Sequence, residues 1–191
     1  EIFENAFAEY KATADKIPHF ADFYLDYAAY MKAWSEIERA KFAHKQEEYS
    51  TAMKHYEKTA SLLKPLKLWS YLSSNFLAWS FLEQAEDLSR KEISIKSIET
   101  FKKAAELFKE AQEAFEEEIG KIKVLDEREK AIELSKASLR RIDYCLARAD
   151  VEQARIYDQE GEYAKSAEKY ELAAATFEKT LQTIELETER N

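Results

Sequence analysis

Glycine and proline are scarce in this chain, whose 191 residues include two of each. Ordinary proteins contain about 7% glycine and 5% proline, so both turn-forming residues are depleted several-fold. This shortage excludes glycine-rich phosphate loops, dinucleotide-binding fingerprints and folds that need many tight turns. The composition therefore favours an all-α protein whose helices are joined by short connections.

The chain also lacks paired cysteines and long apolar runs. Cys145 is the single cysteine, so no internal disulfide can form, and we expect a reducing, cytoplasmic location. No apolar run approaches the length of about eighteen residues that marks a membrane-spanning helix. The richest stretch, residues 76–82, is far too short. We therefore expect no membrane partner.

Acidic residues outnumber basic ones. The chain has 38 Asp and Glu residues against 29 Lys and Arg residues, which gives a formal net charge of -9. An acidic protein repels the phosphate backbone, so we expect no nucleic-acid partner.

A two-part motif recurs along the sequence. Residues 33–40 and 78–85 both read Ala-Trp-Ser-x-(Ile/Leu)-Glu-(Arg/Gln)-Ala, and residues 151–154 repeat the end of this motif. The copies are offset by 45 and then by 69 residues. Each is followed by an aromatic residue, small residues three and four positions later, and an apolar residue at the seventh position. This second pattern begins at Tyr56, Phe101 and Tyr170, with a fourth example at Tyr10. Its spacing puts these residues on one helical face, where small side chains let another helix approach.

The repeats predict a single domain of helical units over residues 1–191. The predicted parts are a partial unit at 1–19, units at 20–64 and 65–108, an insertion at about 109–132, and a last unit at 133–191. Seven helices are predicted, near 1–17, 20–46, 48–63, 66–90, 93–119, 123–160 and 162–188. Short connections require neighbouring helices to pack antiparallel, and Gly161 is predicted to end the sixth helix in a left-handed conformation.

These units resemble the tetratricopeptide repeat, a helix-turn-helix unit with small and aromatic residues at fixed positions. The last unit matches best, at Ala154, Tyr157, Gly161, Tyr163, Ser166, Tyr170 and Ala173. The units here repeat every 45 residues, against about 34 in that family, because the first helix of each unit is longer. The resemblance implies an all-α, right-handed array of about seven helices. It also implies a non-catalytic interaction module or scaffold that binds a peptide or partner domain in a concave groove.

The first helix of each unit lines the groove in the family that this chain resembles. That alignment implies six partner-binding candidates: Lys41, His44, Lys45, Arg90, Arg148 and Arg155. A groove rich in cations would favour an acidic peptide or a terminal carboxylate. The alternative is that Arg148 and Arg155 pair with Glu152 and with neighbouring helices.

Signals for an enzyme are weak. A di-iron helical bundle needs Glu-x-x-His, and none of the three histidines has a glutamate three residues before it. Cys145 is expected to be a small buried apolar residue rather than a nucleophile. We therefore predict no catalytic residue, no cofactor and no metal. A helical enzyme or sensor with a small ligand between helices is the least favoured hypothesis.

Two apolar features leave alternatives open. Residues 1–17 resemble the second helix of a unit without its first, so Phe3 and Phe7 would form a stripe. Residues upstream, a second copy in a homodimer, or the helix at 20–46 could cover this stripe. The alternative function is thus a structural or self-associating segment that docks on neighbouring domains. The aromatic cluster in residues 20–30 is predicted to pack against the first helix and residues 69–76, rather than to form a ligand cage.

Overall fold

The computed structural model describes residues 1–188, with side chains through residue 184, so 189–191 of the predicted last unit lie outside the described residues. The α-helices are α1 (Ile2–Lys16), α2 (Ala21–Lys45), α3 (Tyr49–Leu63), α4 (Ser73–Arg90), α5 (Ser94–Ile119), α6 (Leu125–Gln159) and α7 (Tyr163–Thr188). Short 3-10 helices span Pro18–Phe20 and Ser70–Leu72. Each α-helix packs antiparallel against its neighbours in sequence, which confirms the all-α prediction. Within residues 1–188, no helix is long and apolar enough to span a membrane.

In three helical hairpins, α2–α3, α4–α5 and α6–α7, the two helices are joined by a turn of the same kind. Its left-handed residues are Glu47, Glu92 and Gly161, with φ of 58°, 59° and 78°. In each turn the next amide donates to the carbonyl five residues earlier, at 2.8–3.0 Å, as in a Schellman motif. The three turns are offset by 45 and 69 residues, which are the offsets of the sequence motif.

A second backbone-linked contact recurs at the motif positions. The Ser97 hydroxyl donates to the carbonyl of Ala85 at 3.0 Å, and the Ser166 hydroxyl donates to the carbonyl of Ala154 at the same distance. Both serines and both alanines are buried. In each of the last two hairpins, the same Ser–Ala hydrogen bond therefore links the two helices. Its two residues are twelve positions apart in both cases.

The predicted start of the fourth helix at residue 66 was wrong, because α4 begins at Ser73. The amides of Leu66, Trp69 and Leu72 each donate to a carbonyl three residues earlier. Side chains three apart eclipse one another under this bonding pattern, so all three face the core and are at most 8% exposed. The spacing of three gives a buried 3-10-like connection instead of another turn of α-helix.

The core has two adjoining parts. One surrounds Trp69 and Phe76 between α2, α3 and α4, and the other lies between α4, α5 and α6. Phe101, Phe108 and Phe115 of α5 have no exposed surface. Residues 109–132, the predicted insertion, form the end of α5, the connection at 120–124 and the start of α6.

The helix α2 covers much of the stripe on α1. Phe3 stacks on Trp34 with ring centroids 5.9 Å apart, and the Lys32 ammonium lies 5.6 Å from the centre of the Phe7 ring. Both phenylalanines are half-buried. The predicted packing of the 20–30 cluster is confirmed for three members, since Tyr24 contacts Tyr10 of α1, and Tyr27 and Tyr30 contact Trp69. Phe20 and Phe23 are 56% and 51% exposed instead.

Candidate functional site

All six candidate residues lie on the helices α2, α4 and α6. Two cavities divide these residues. Arg90, Arg148 and Arg155 line a cavity of about 580 Å³, which we call the Arg148 cavity. Lys41, His44 and Lys45 line another of about 600 Å³, which we call the Arg141 cavity.

Each arginine of the Arg148 cavity has an acidic partner. Arg148 Nη1 lies 2.7 Å from an oxygen of Glu86 on α4. Arg155 Nη1 lies 2.7 Å from Glu152, and Arg90 Nη1 lies 3.2 Å from Glu47. The pairing that the sequence left open for Arg148 and Arg155 is therefore present. The lining as a whole mixes both signs of charge.

Glu152 lies beneath this cavity and ties three helices together. Its carboxylate is fully buried and accepts hydrogen bonds from Ser89 of α4 at 2.6 Å and from Ser94 of α5 at 2.8 Å. Arg155 Nη1 also donates to Glu152 Oε1, at 2.7 Å. A buried carboxylate is tolerated when it is bonded in this way, so Glu152 is accounted for by packing.

Tyr144 and Arg148 both donate to Glu86. The Tyr144 hydroxyl and Arg148 Nη1 each lie 2.8 Å from Glu86 Oε1. Burial, together with the charge of Glu86, raises the pKa of Tyr144 to about 12. Burial lowers the pKa of Arg148, but Glu86, Tyr144 and Glu152 together outweigh burial and that pKa is raised. Tyr144 therefore stays neutral and Arg148 stays charged at physiological pH.

The Arg141 cavity is different, because its arginine has no salt bridge within the described residues. The guanidinium carbon of Arg141 lies 4.6 Å from the centre of the Trp79 ring, a cation–π geometry. Burial lowers the pKa of Arg141. Lys41 pairs with Glu38 at 2.8 Å, and Lys45 also lines the cavity. Cations outnumber carboxylates along this lining.

His44 joins the same cavity to a buried acid. Its Nδ1 hydrogen-bonds Glu83 Oε2 at 3.1 Å. The other oxygen, Oε1, is 2.9 Å away but without hydrogen-bond geometry, and no described residue satisfies it. Burial raises the pKa of Glu83, while the contact with His44 opposes this effect.

Arg141 is the functional candidate that the repeat alignment missed. Arg141, Arg148 and Arg155 are spaced seven residues apart on α6, which is nearly two helical turns and about 10 Å per step. They share the face of α6 that meets α4, where Trp79 and Glu86 are also seven residues apart. The seven-residue spacing of the arginines is the sequence signal that could have indicated Arg141. The repeat alignment did not include Arg141, because this residue precedes the last motif copy at residues 151–154.

Cys145 also lies on α6, and its side chain is buried. Burial raises the pKa of the Cys145 thiol to about 12, so the thiolate form is suppressed at neutral pH. No group of three or more potential metal ligands occurs within the described residues. Guanidinium and ammonium groups in partly enclosed cavities can hold carboxylates through charge-assisted hydrogen bonds.

Comparison of the chain with family models, with curated proteins and with solved structures finds no match.

Proposed function

We propose that this protein is a non-catalytic, tetratricopeptide-like interaction module that binds a peptide or partner domain rich in carboxylates. Alternate helices of the proposed array would present one shared recognition face. The three equivalent turns and the paired Ser–Ala contacts support a repeated hairpin of this kind.

The proposal rests on the surroundings of Arg141, which lack a salt-bridge partner among the described residues. A largely enclosed guanidinium needs a counter-charge, and this one stacks on Trp79 but makes no salt bridge with a described residue. The planar group retains its donors for a ligand, since stacking on Trp79 uses none of them. A carboxylate bound in the Arg141 cavity would supply the missing counter-charge.

The Arg148 cavity would extend the surface available to such a peptide. Arg90 and Arg155 are each about half exposed and use only part of their five donors in the pairs described above. A chain that crosses from one cavity to the other would meet cations along α6 at intervals of about 10 Å. This interval corresponds to about three residues of an extended peptide.

The proposal is tested with a fluorescein-labelled peptide rich in Asp and Glu, and with its Asn and Gln counterpart. We expect fluorescence anisotropy to report binding of the acidic peptide alone, and a loss of affinity of about tenfold or more in Arg141→Gln. The double variant Lys41→Glu/Lys45→Glu should also lose binding.

The matched control reverses two exposed lysines of α5, in Lys102→Glu/Lys109→Glu. It changes the net charge by the same amount but lies outside both cavities, so the affinity should change little. Equal binding by Arg141→Gln and the wild type would contradict the proposal. Circular dichroism checks that every variant stays helical.

A second candidate function is self-association through the N-terminal helix. Ile2 and Phe42 are 81% and 67% exposed and line a shallow cavity with Phe3. A second copy could cover this apolar surface. Light scattering over a dilution series tests this candidate, and Ile2→Ser/Phe42→Ser should abolish any concentration-dependent rise in mass.

A further inference from the structure

A third cavity, of about 760 Å³, has an aromatic wall and an acidic wall. It lies between α2, the connection at residues 64–72 and the first half of α6. The aromatic wall consists of Tyr30, Trp34, Trp69 and Tyr71. This cavity, which we call the Trp34 cavity, is separate from the face assigned to peptide binding.

The rings of the aromatic wall are held in place by one another and by the core. Tyr30 stacks on Trp69 with centroids 4.2 Å apart, and meets Trp34 edge-on at 6.1 Å. Tyr71 is held edge-on against the fully buried Phe115 at 5.9 Å. Binding would therefore require little reordering of these side chains, which favours affinity.

The facing wall belongs to the part of α6 that the insertion adds. It carries four carboxylates against two cations, namely Asp126, Glu127, Glu129 and Glu133 against Lys130 and Arg140. Glu133 also pairs with Lys136 at 2.9 Å. Burial and the charge of Glu127 raise the pKa of both Tyr30 and Tyr71, the latter to about 12. Glu127 is thus electrostatically close to the aromatic wall.

We propose that the Trp34 cavity binds an alkylammonium group, above all a quaternary one. The faces of tryptophan and tyrosine attract cations, and a methylated ammonium is less strongly hydrated than a primary one. The carboxylates of α6 supply the opposite charge without requiring N–H donors from the ligand. The volume is in the range of small-ligand sites, which run from about 300 to 1,000 Å³.

The same chemistry could come from a free metabolite or from a methylated lysine side chain. The probes for the first source are choline and its neutral carbon isostere, 3,3-dimethyl-1-butanol. The probes for the second source are a trimethyllysine peptide and the same peptide with unmodified lysine. Tryptophan fluorescence of the full chain reports binding, because Trp34 and Trp69 line the cavity.

We expect either choline or the trimethyllysine peptide to bind about tenfold more tightly than its matched counterpart. If the methylated peptide binds and choline does not, the ligand is a protein partner. If choline binds and the methylated peptide does not, the ligand is a free metabolite. Glu127→Gln should weaken binding several-fold while the exposed control Glu110→Gln leaves it unchanged. Trp34→Phe is the aromatic variant, and its folding is checked by circular dichroism. No preference for the quaternary cation in either pair would overturn the proposal.

Discussion

Glu36 and Glu83 are both fully buried, but their surroundings differ in charge. Glu36 Oε2 lies 2.7 Å from His55, and Oε1 lies 2.9 Å from Lys58 and 3.0 Å from Arg39. Burial raises the pKa of Glu36, but these neighbours outweigh burial and lower that pKa below its ordinary value. Glu83 has the single hydrogen bond from His44, so burial prevails and its pKa is raised.

The Glu36 cluster predicts acid-sensitive stability. An acid whose folded-state pKa is lowered stabilises the fold above its ordinary pKa of 4.5, and loses this effect as the pH falls. We expect Glu36→Gln to destabilise the protein by about 1–3 kcal/mol at neutral pH. Urea unfolding of the variant and the wild type should show the difference shrinking below pH 4.5. The exposed Glu106→Gln is the control, and an equal effect there would contradict this account.

For Glu83 we predict the opposite dependence of stability on pH. An acid whose folded-state pKa is raised favours the fold below 4.5, and this contribution is lost as the pH rises through the folded-state pKa. Gln does not ionise, so the stability of Glu83→Gln relative to the wild type should improve as the pH rises. His44 and Arg141 oppose the effect and Glu86 reinforces it. Thermal melts between pH 4 and 8 measure the trend, and a relative stability that falls with pH would refute it.

At the scale of elements, the left-handed residue of each turn fixes where one helix ends and the next begins. Only the third turn has the glycine that this conformation favours, since Glu47 and Glu92 occupy the other two. A side chain in this region costs roughly 1–2 kcal/mol relative to the right-handed helix. The repeated turn thus depends on helix packing in two hairpins, and on glycine in one.

The two glycines provide a matched test of this point. A Cβ at either Gly120 or Gly161 would meet no atom within 4 Å, but only Gly161 has a positive φ. We expect Gly161→Ala to lose roughly 1 kcal/mol of stability and Gly120→Ala to be neutral or slightly stabilising. Chemical denaturation measures both, and equal effects would mean that backbone conformation does not control the turn.

The sequence predicts most of these elements because their signals are local. Small and aromatic residues at helical spacing located the hairpins, and Gly161 marked a turn. The start of α4 was not predictable in the same way. Leu66, Trp69 and Leu72 are compatible with a helix by composition, and it is burial against α2 and α5 that selects the three-residue bonding pattern.

At the scale of the whole molecule, the same repeat position is buried or exposed according to whether another helix follows. Phe101 of α5 is fully buried, whereas its equivalent on α7, Tyr170, is 42% exposed. The neighbouring small residue is buried as Ala105 but exposed as Ala174. Among the described helices, α7 packs on α6 and receives no later helix.

This difference predicts unequal effects of one substitution at two equivalent positions. Ala105→Leu should overpack the contact between α5 and its neighbours and cost roughly 1–3 kcal/mol. Ala174→Leu should change the free energy of unfolding by less than about 0.5 kcal/mol. Urea titrations of both variants decide the matter. A large cost at Ala174 would indicate that a second chain or another segment covers α7.

The repeat alignment predicted which of these residues lie near one another better than it predicted their charged partners. The repeat alignment found three arginines that line one cavity, but it could not show that Glu86 on another helix neutralises Arg148. It also missed Arg141, whose proposed role depends on Trp79 from α4 beneath it and on its making no salt bridge with a described residue. Both facts are long-range contacts, which a local pattern does not encode.

The most direct test of the proposed recognition face is an NMR titration of ¹⁵N-labelled protein with the Asp- and Glu-rich peptide. The chain has three tryptophans, so each indole N–H reports on one place in the molecule. We predict that the Trp79 indole and the amides near Arg141 and Lys45 shift during the titration. The indoles of Trp34 and Trp69 should stay unchanged. No shift at Trp79, or shifts confined to Trp34 and Trp69, would contradict the account.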